Sequence, residues 1–255
     1  MPTLALPTIS NRTGAPVGPT VSAPSPEKHA FVHKLFTTIA PRYDWFNRLA
    51  SMGLDIGWRR TAIERGTVTP GMRVLDVCCG TGDFALLCAR RAAGQGTIAG
   101  LDFTHAMLEG AARKQRHERL NVEWFEGDAQ ALPFADNSFD RVLIGFSTRN
   151  LSDLRRGLRE MLRVLTPAGR LIILETGRPS TALMRFGYWL YLRTVARAIG
   201  FVLTGRIWPF TYLADSVKAF LPPPHMVRLL AECGGQAEYI PLSGGLASLY
   251  IARKG

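Results

Sequence analysis

Three acidic residues lie at or just after the ends of successive apolar segments, at a constant spacing of 26 positions: Asp76, Asp102 and Asp128. In a parallel sheet the carboxyl ends of the strands share one edge, where open α/β sheets bind ligands. We therefore expect the three carboxylates to converge there. Between the first two lies Gly-Thr-Gly-Asp at 80–83, in which Gly80 and Gly82 let the backbone approach a ligand closely.

The spacing of this turn indicates which ligand it suits. It is not G-x-G-x-x-G and no G-K-[ST] follows, so an adenosyl ligand without phosphate is favoured over a pyrophosphate. Asp102 is placed to accept the ribose hydroxyls, Phe103 to pack on the adenine, and Asp128 with the Ala129 N–H to bind the adenine amino group. Together these residues predict S-adenosylmethionine as the cofactor. The alternative for the turn is a tight strand–helix connection that binds no ligand. The alternative for Asp102 is a helix cap, although Thr104 is better placed for that role.

The elements that must position these residues alternate along the chain. Short apolar strands and segments of helical period follow one another from Arg73 to Thr176, which predicts a parallel sheet with right-handed crossovers. The first strand is expected to end at Cys78 or Cys79, and the helix before the fifth strand to close at "PAG". Two alternating segments joined by Ser-Gly-Gly predict a final antiparallel hairpin. This is the α/β layout of class I methyltransferases, a Rossmann-like seven-stranded sheet whose last two strands form a hairpin.

The domain organisation follows from the rest of the chain. Residues 1–27 are rich in Pro, Ser, Thr and Gly and lack a secretory signal pattern, so a disordered tail is expected. Residues 28–255 then form one methyltransferase domain. It starts with helical pieces over 28–65, joined by "APRYD" and "SMGLD". A helical insertion at about 179–235 precedes the hairpin.

Charge and cysteine usage narrow the function classes. The 31 Lys and Arg residues against 20 Asp and Glu give a net charge of +11, which favours an anionic partner. The four cysteines show no C-x-x-C spacing, so neither a metal site nor a disulfide framework is predicted and the thiols suit a reducing cytosol. Cys78 and Cys79 are interpreted as small packing residues.

The segment 183–203 is mostly apolar but contains Arg185, Arg193 and Arg197. On an ideal helix these arginines lie within about 120° of one another, and their charge makes spanning a bilayer unfavourable. We expect a helix lying at an anionic membrane surface, a cover over the substrate pocket, or both.

Longer motifs carry a specific resemblance. "YDWFNRLASMGLDIGWRR" at 43–60, "LDVCCGTGDFA", "GLDFTHAML", "GDAQALPFADNSFD" and "TRNLSD" resemble the ubiquinone/menaquinone biosynthesis C-methyltransferase family, and "EMLRVLTPAGRLIILE" and "YLADSVKAF" extend the match. The similarity runs from about residue 30 to the C-terminus.

The resemblance implies methyl transfer from S-adenosylmethionine to a ring carbon of a reduced, prenylated demethylquinone. It implies cofactor contacts at Thr81, Asp102, Asp128 and Ala129. Gly145 occupies a further position where the family often has Ser, which removes one hydroxyl. The full predicted cofactor set is Gly80, Thr81, Gly82, Asp102, Phe103, Asp128 and Ala129.

The predicted catalytic residues are Arg149, Asn150 and Tyr43. A quinol carbon becomes a strong nucleophile when the neighbouring hydroxyl loses its proton. The Arg149 guanidinium does not lose its proton in proteins, so it is a poor general base. We expect it to stabilise the developing phenolate, with a water as proton acceptor. Asn150 would orient the ring oxygen, and the 43–60 block would cover the site as a lid. The alternatives are an ion pair between Arg149 and Asp153 or another acid, and ordinary helix packing for the 43–60 block.

Other functions remain open at this stage. A different lipid or small aromatic substrate is the main alternative, and a non-catalytic binding module is another. An RNA methyltransferase is disfavoured, because "GFSTRN" replaces [ND]-P-P-[YF] and the loops after the fourth and fifth strands contain no cysteine for catalysis. The expected partners are a prenylated quinol and an anionic membrane, without nucleic acid, and the expected location is the cytoplasm, peripherally at the inner face of the membrane. Menaquinone and ubiquinone precursors are not separated, and a homo-oligomer stays open.

Overall fold

A computed structural model describes residues 25–255 of the chain. The expected disordered tail lies outside the described residues except for positions 25–27. There Ser25 caps the first helix, its hydroxyl accepting the Lys28 N–H at 3.2 Å.

Seven strands form one mixed sheet in the order β3-β2-β1-β4-β5-β7-β6. The first five are parallel, and β7 runs antiparallel to both β5 and β6. The predicted class I methyltransferase fold with a closing hairpin is thus confirmed. The strands are β1 (Arg73–Val77), β2 (Thr97–Asp102), β3 (Glu123–Glu126), β4 (Phe139–Gly145), β5 (Leu165–Thr176), β6 (Gly235–Leu242) and β7 (Ala247–Lys254).

Helices pack on both faces of the sheet and beyond its carboxyl edge. The helices Leu154–Arg163 and Pro223–Glu232 form one hydrophobic core with the sheet. The helices Leu54–Arg65 and Asp83–Ala92 form a second core with it. A π-helical turn, Leu192–Ala196, joins α7 to α8. The helices are α1 (Pro26–Ile39), α2 (Tyr43–Ala50), α3 (Leu54–Arg65), α4 (Asp83–Ala92), α5 (His105–Glu118), α6 (Leu154–Arg163), α7 (Ala182–Tyr191), α8 (Arg197–Thr204), α9 (Trp208–Ala219) and α10 (Pro223–Glu232).

Several predicted boundaries were wrong by a few residues. The first strand ends at Val77, because Cys78 turns into the left-handed region with φ of 53°. The "PAG" segment lies inside β5, where the register jumps between the Phe139 and Arg141 pairings so that 166–169 bulge out of the ladder. "APRYD" forms a short 3₁₀ turn over Ala40–Arg42 and then starts α2.

The N-terminal helices and α7–α9 meet over the carboxyl edge of the sheet. The rings of Phe46 in α2 and Phe210 in α9 lie 4.4 Å apart, and the Tyr191 hydroxyl donates to the Ala50 carbonyl at 3.0 Å. The final helix of the 179–235 segment, α10, packs instead on the sheet through Met226 and Leu230. Among residues 25–255 no helix is both long and apolar enough to cross a membrane.

Candidate active site

The turn after β1 is built from left-handed backbone at Cys78, Gly80 and Gly82, with φ of 53°, 54° and 81°. A non-glycine residue in this region stores strain, which proteins concentrate at functional sites. A Cβ on Gly82 would lie 2.6 Å from the Trp124 ring, so glycine there serves close packing. A Cβ on Gly80 would lie 3.7 Å from the Tyr43 ring, so this glycine faces helix α2.

Asp102 organises the turn from the end of β2. One carboxylate oxygen accepts the Gly80 N–H at 2.9 Å and the other accepts the Thr104 N–H at 2.8 Å. Burial raises the pKa of Asp102 above its ordinary value, against the effect of both N–H groups. Thr104 occupies the N-cap position of α5, yet its buried hydroxyl has no hydrogen-bond partner within residues 25–255. The prediction that Thr104 is better placed than Asp102 to cap this helix is confirmed for its position, although its hydroxyl makes no capping hydrogen bond.

Asp128 is oriented by a residue that the sequence analysis missed. Its Oδ1 accepts from the Gln130 backbone N–H at 2.9 Å and from the Gln130 Nε2 at 3.0 Å. The Gln130 Oε1 accepts from the Ser152 hydroxyl at 2.8 Å and the Asp153 N–H at 2.6 Å. Gln130 thus ties the loop after β3 to the loop after β4.

A pocket with an empty volume of about 570 Å³, part of it open to solvent, lies over this turn. Five predicted cofactor residues line it, namely Gly80, Asp102, Phe103, Asp128 and Ala129, whereas Thr81 and Gly82 do not. The hydrogen-bond acceptors fit an adenosyl ligand, since two separated carboxylates face an otherwise mostly apolar pocket. Residues absent from the predicted set also line it, among them His29, Val32 and Phe36 of α1, Cys78, Met107, Ser147 and Leu151.

Asp76 does not face this pocket. It is 1% exposed and accepts the Ala85 N–H at 3.0 Å, at the start of α4. Only two of the three carboxylates expected to converge therefore do so. Burial raises the pKa of Asp76 to about 8.

Replacing Asp76 with asparagine should change how stability depends on pH. Because the folded pKa lies above the unfolded value, the folded state binds more protons between about pH 4 and pH 8, and stability falls as pH rises through that window. Asparagine keeps an acceptor for the Ala85 N–H without a charge. The variant's free energy of unfolding, relative to the natural chain, should increase by up to ~1.4 kcal/mol per pH unit in this window.

Urea unfolding of both proteins at about pH 5 and pH 7.5 measures this difference. Asp140→Asn, which changes a half-buried carboxylate whose pKa is lowered by Arg73, is the control and should not share the trend. An equal difference between the natural chain and Asp76→Asn at both pH values would contradict the assignment.

A second, apolar cavity of about 1490 Å³ adjoins the first pocket. Helices α1, α2, α3, α7 and α9 supply most of its lining, including Leu35, Ile39, Phe46, Met184, Phe210 and Leu213. Phe36, Tyr43 and Asn150 line both spaces. These three residues form the seam between the two spaces. A group held in the first pocket would face an apolar molecule held in the second across this seam.

Arg149 lines the apolar cavity and is anchored to a buried acid. Its Nη1 donates to the Glu175 carboxylate and the Phe146 carbonyl, both at 2.5 Å. Glu175 is fully buried in β5, and Asp153 instead caps α6 by accepting the Arg156 N–H at 2.9 Å. The predicted alternative of an ion pair with Asp153 or another acid is thus confirmed, and the acid is Glu175. Burial alone would lower the pKa of Arg149, yet the Glu175 carboxylate outweighs it and the guanidinium keeps its proton.

Donor groups without protein acceptors gather near the seam. Within residues 25–255, the buried Asn150 Nδ2 and Arg149 Nε have no hydrogen-bond partner. The Asn150 Oδ1 accepts from the Tyr212 hydroxyl at 3.3 Å, which fixes the amide orientation. Burial raises the pKa of Tyr43, so its phenol also stays a donor at neutral pH. Such donors in an apolar setting suit an oxygen that gains negative charge.

The cysteines and Gly145 supply no charged or metal-binding group at this site. Burial and the nearby Asp102 carboxylate raise the pKa of Cys78 and Cys79 well above the ordinary value, so both stay thiols. In the part of the chain that the structure describes, no cluster of three metal-ligating side chains occurs. Gly145 does not line the cofactor pocket, and a Cβ there would lie 2.8 Å from the Phe84 ring.

Solved structures show the same fold. A SAM-dependent methyltransferase from Aquifex aeolicus aligns with a TM-score of 0.59 at 18% identity, covering 77% of this chain and 89% of that one. A putative S-adenosyl-L-methionine-dependent methyltransferase from Methanococcus maripaludis aligns with a TM-score of 0.62 at 21% identity, covering 86% and 93%. At these identities the likeness concerns the fold alone.

Curated relatives are much more similar in sequence. Demethylmenaquinone methyltransferases from Deinococcus radiodurans and Desulfitobacterium hafniense are 41% and 38% identical over 89% of this chain, covering 94% and 91% of those proteins. The 2-phytyl-1,4-naphtoquinone methyltransferase of Thermosynechococcus vestitus is 39% identical over 88% of this chain and 99% of its own length.

The sheet order and the pocket at its carboxyl edge define the class, a class I S-adenosylmethionine-dependent methyltransferase. The model of the ubiE/COQ5 methyltransferase family matches residues 25–254, nearly the whole chain. The chain belongs to the ubiE/COQ5 methyltransferase family.

Proposed function

We propose that this chain transfers the methyl group of S-adenosylmethionine to a ring carbon of a reduced, prenylated demethylquinone. One observation carries the proposal: the cofactor pocket and the large apolar cavity meet at Tyr43 and Asn150. The cofactor, when bound, supplies an electrophilic methyl group. The cavity is the larger of the two spaces and is lined mainly by apolar side chains, as an isoprenoid-substituted ring requires.

The cofactor pocket divides its tasks among the predicted residues. Asp102 accepts the ribose hydroxyls, Phe103 packs on the adenine, and Asp128 with the Ala129 N–H binds the adenine amino group. Gly80 leaves room for the amino-acid end. Thr81 and Gly82 shape the turn from outside the pocket.

The substrate side activates the ring carbon by stabilising negative charge on the neighbouring oxygen. Arg149 provides the positive charge, while Tyr43 and Asn150 donate hydrogen bonds to the oxygen and orient the ring. Among the described cavity-lining residues, Asp55 is the one carboxylate, and donors from Arg59 at 2.6 Å, Arg48 at 3.0 Å and Ser51 at 2.8 Å already hold it. A water molecule therefore takes the phenol proton in this proposal.

Demethylmenaquinol is the favoured substrate. The support is that relatives 36–41% identical over most of the chain are demethylmenaquinone methyltransferases. Purified protein is incubated with S-adenosylmethionine and either reduced demethylmenaquinone or the reduced demethylated ubiquinone precursor, and the products are weighed by mass spectrometry. Methylation of the naphthoquinol is expected; a methyl group on the benzoquinol alone would reassign the substrate, and none on either would overturn the proposal.

We also propose that the protein binds peripherally to an anionic membrane, at its cytoplasmic face. In the described part of the chain, every large hydrophobic side chain that is strongly exposed comes from 45–56 or 183–207. These segments include α2, α7 and α8, whose helices also line the apolar cavity or pack beside it. From 177 to 214 the chain has five arginines and no Asp or Glu. Apolar side chains with surrounding arginines suit a lipid surface better than nucleic acid.

The three arginines of the 183–203 segment differ in their surroundings. The π-helical turn interrupts the ideal helical phase, so they do not form one regular row. Arg185 donates to the Ser180 carbonyl at 2.6 Å, and Arg193 lies over the Trp189 ring at 5.2 Å and 3.8 Å from Asp215. Their charges still add to the positive field of this surface.

Changing Arg185, Arg193 and Arg197 together to glutamine should weaken binding to anionic liposomes about 10- to 100-fold at low salt, because each basic residue at such a surface contributes about 1 kcal/mol. Flotation with vesicles of anionic and neutral lipid, at low and high salt, measures it.

The matched control is glutamine at Arg156, Arg159 and Arg228, which are exposed on α6 and α10 and carry the same charge. No flotation of the natural chain at either salt concentration would contradict membrane binding. An equal loss of binding in the control would show that the effect comes from net charge alone and not from this surface.

A further inference from the structure

A polar cluster outside both pockets joins α5, α2 and the cofactor turn. The Lys114 Nζ donates to Asp44 at 3.0 Å, to the Thr81 hydroxyl at 3.1 Å and to Asp83 at 2.6 Å. The Thr81 hydroxyl also donates to the second oxygen of Asp44. One ammonium group therefore bridges two carboxylates and a hydroxyl that come from α2, the turn and α4.

The cluster continues from Asp83 into α3. Arg59 lies 3.8 Å from Asp83 and donates to Asp55 at 2.6 Å, and Asp55 also accepts from Arg48 of α2 at 3.0 Å. Asp55 and Arg59 are buried. Burial would raise the pKa of Asp83, but Arg59 and Lys114 outweigh it and lower the pKa, so the acid stays charged. Alternating charges thus connect the turn to both helices of the 43–60 block.

This connection fixes the start of α2, where Tyr43 immediately precedes Asp44. The Tyr43 ring lies over Gly80 and at the seam between the two cavities. Asp44 therefore determines where Tyr43 stands relative to the turn. Loosening Asp44 should let the helix that covers the seam move away.

We propose that Lys114 is a positioning residue that holds α2, through Asp44 and Thr81, against the cofactor turn and so orders the quinol side of the site. The catalytic part of this inference rests on the proposed function, whereas the ordering of α2 does not. Lys114 lines neither cavity, so it acts through Asp44 and Tyr43 and touches no reacting group.

Hydrogen exchange of the α2 amides tests the ordering without any quinol. Lys114→Met should speed exchange over residues 43–50 by about tenfold, since it removes a donor shared by three acceptors. Lys114→Arg should restore part of the protection. Arg116→Met removes the same charge from an exposed position on the same helix and should change nothing. If Lys114→Met does not fold, Lys114→Gln replaces it. Unchanged exchange in the folded variant would overturn the proposal.

Kinetics test the consequence for the reaction. Lys114→Met should lower kcat about tenfold and raise the quinol KM, with less than threefold change in the Kd for S-adenosylhomocysteine. Adding Asp44→Asn should cost little more, because residues acting in one network are not additive. Additive losses, or a loss confined to cofactor affinity, would contradict the positioning role. If no quinol is methylated even by the natural chain, the proposed function fails while the exchange result still decides the ordering.

Discussion

Replacing Arg149 with methionine is expected to lower kcat for quinol methylation about 10²- to 10³-fold, the loss typical when a preorganised charge-stabilising donor is removed. The guanidinium lies at the apolar cavity, held by Glu175, with its Nε free of protein partners within residues 25–255. In this apolar setting it would stabilise phenolate charge more strongly than water does, as the proposed mechanism requires. Single-turnover measurement with saturating cofactor gives the rate constant directly.

The single variant leaves the Glu175 carboxylate buried without its partner, which is destabilising by itself. The double variant Arg149→Met with Glu175→Gln removes both charges and separates catalysis from folding. It should fold, retain the Kd for S-adenosylhomocysteine within about threefold, and show the same loss in kcat. A folded double variant with kcat near that of the natural chain would contradict the role of Arg149.

Replacing Asp102 with alanine should weaken cofactor binding about 100-fold. The carboxylate is lost as an acceptor for the ribose hydroxyls, and hydrogen bonds to a charged group are each worth about 1.5–3 kcal/mol. It also frees the Gly80 and Thr104 N–H groups, so the turn loses part of its order. Titration calorimetry with S-adenosylhomocysteine measures the Kd.

Asp136→Ala is the matched control, since Asp136 is an exposed acid whose carboxylate contacts Arg163 far from the pocket. It should leave the Kd unchanged. Asp102→Asn keeps one acceptor oxygen and should fall between the alanine variant and the natural chain. A Kd within threefold for Asp102→Ala would show that the ribose is bound elsewhere.

The cofactor half of the site could be read from the sequence to a large extent. The carboxyl ends of consecutive parallel strands meet at one edge, so Asp102 and Asp128 were placed by strand order alone. The same rule failed for Asp76, because it precedes the last residue of β1 and its side chain turns towards α4. A shift of one residue along a strand reverses the face that a side chain occupies.

The supporting residues could not be found in this way. Gln130 and Glu175 act through partners 22 to 27 positions distant in the chain, and neither lies in a motif that singles it out. Helix α1 covers the cofactor pocket with apolar residues, which sequence patterns attribute to ordinary packing. These contacts depend on tertiary packing, which helical period does not encode.

The apolar cavity likewise arises from helices that are far apart in sequence. For the 43–60 block ordinary helix packing was the alternative to a lid, and the structure shows packing together with cavity lining. Phe46 packs in a helical core with Phe210 and also lines the cavity, while Tyr43 reaches the cofactor pocket. The seam between the two spaces therefore emerges only when α1, α2 and the loop after β4 are assembled.

The position of the transferred methyl group tests the central claim most directly. The natural chain is incubated with reduced demethylmenaquinone and with S-adenosylmethionine that carries a deuterated methyl group. The position of the label in the product is then determined by mass fragmentation and NMR. A ring carbon held across the seam beside Tyr43 and Asn150 predicts label on carbon, with both ring oxygens unmethylated. Label on oxygen, or an unlabelled quinone from protein that binds the cofactor, would contradict the account.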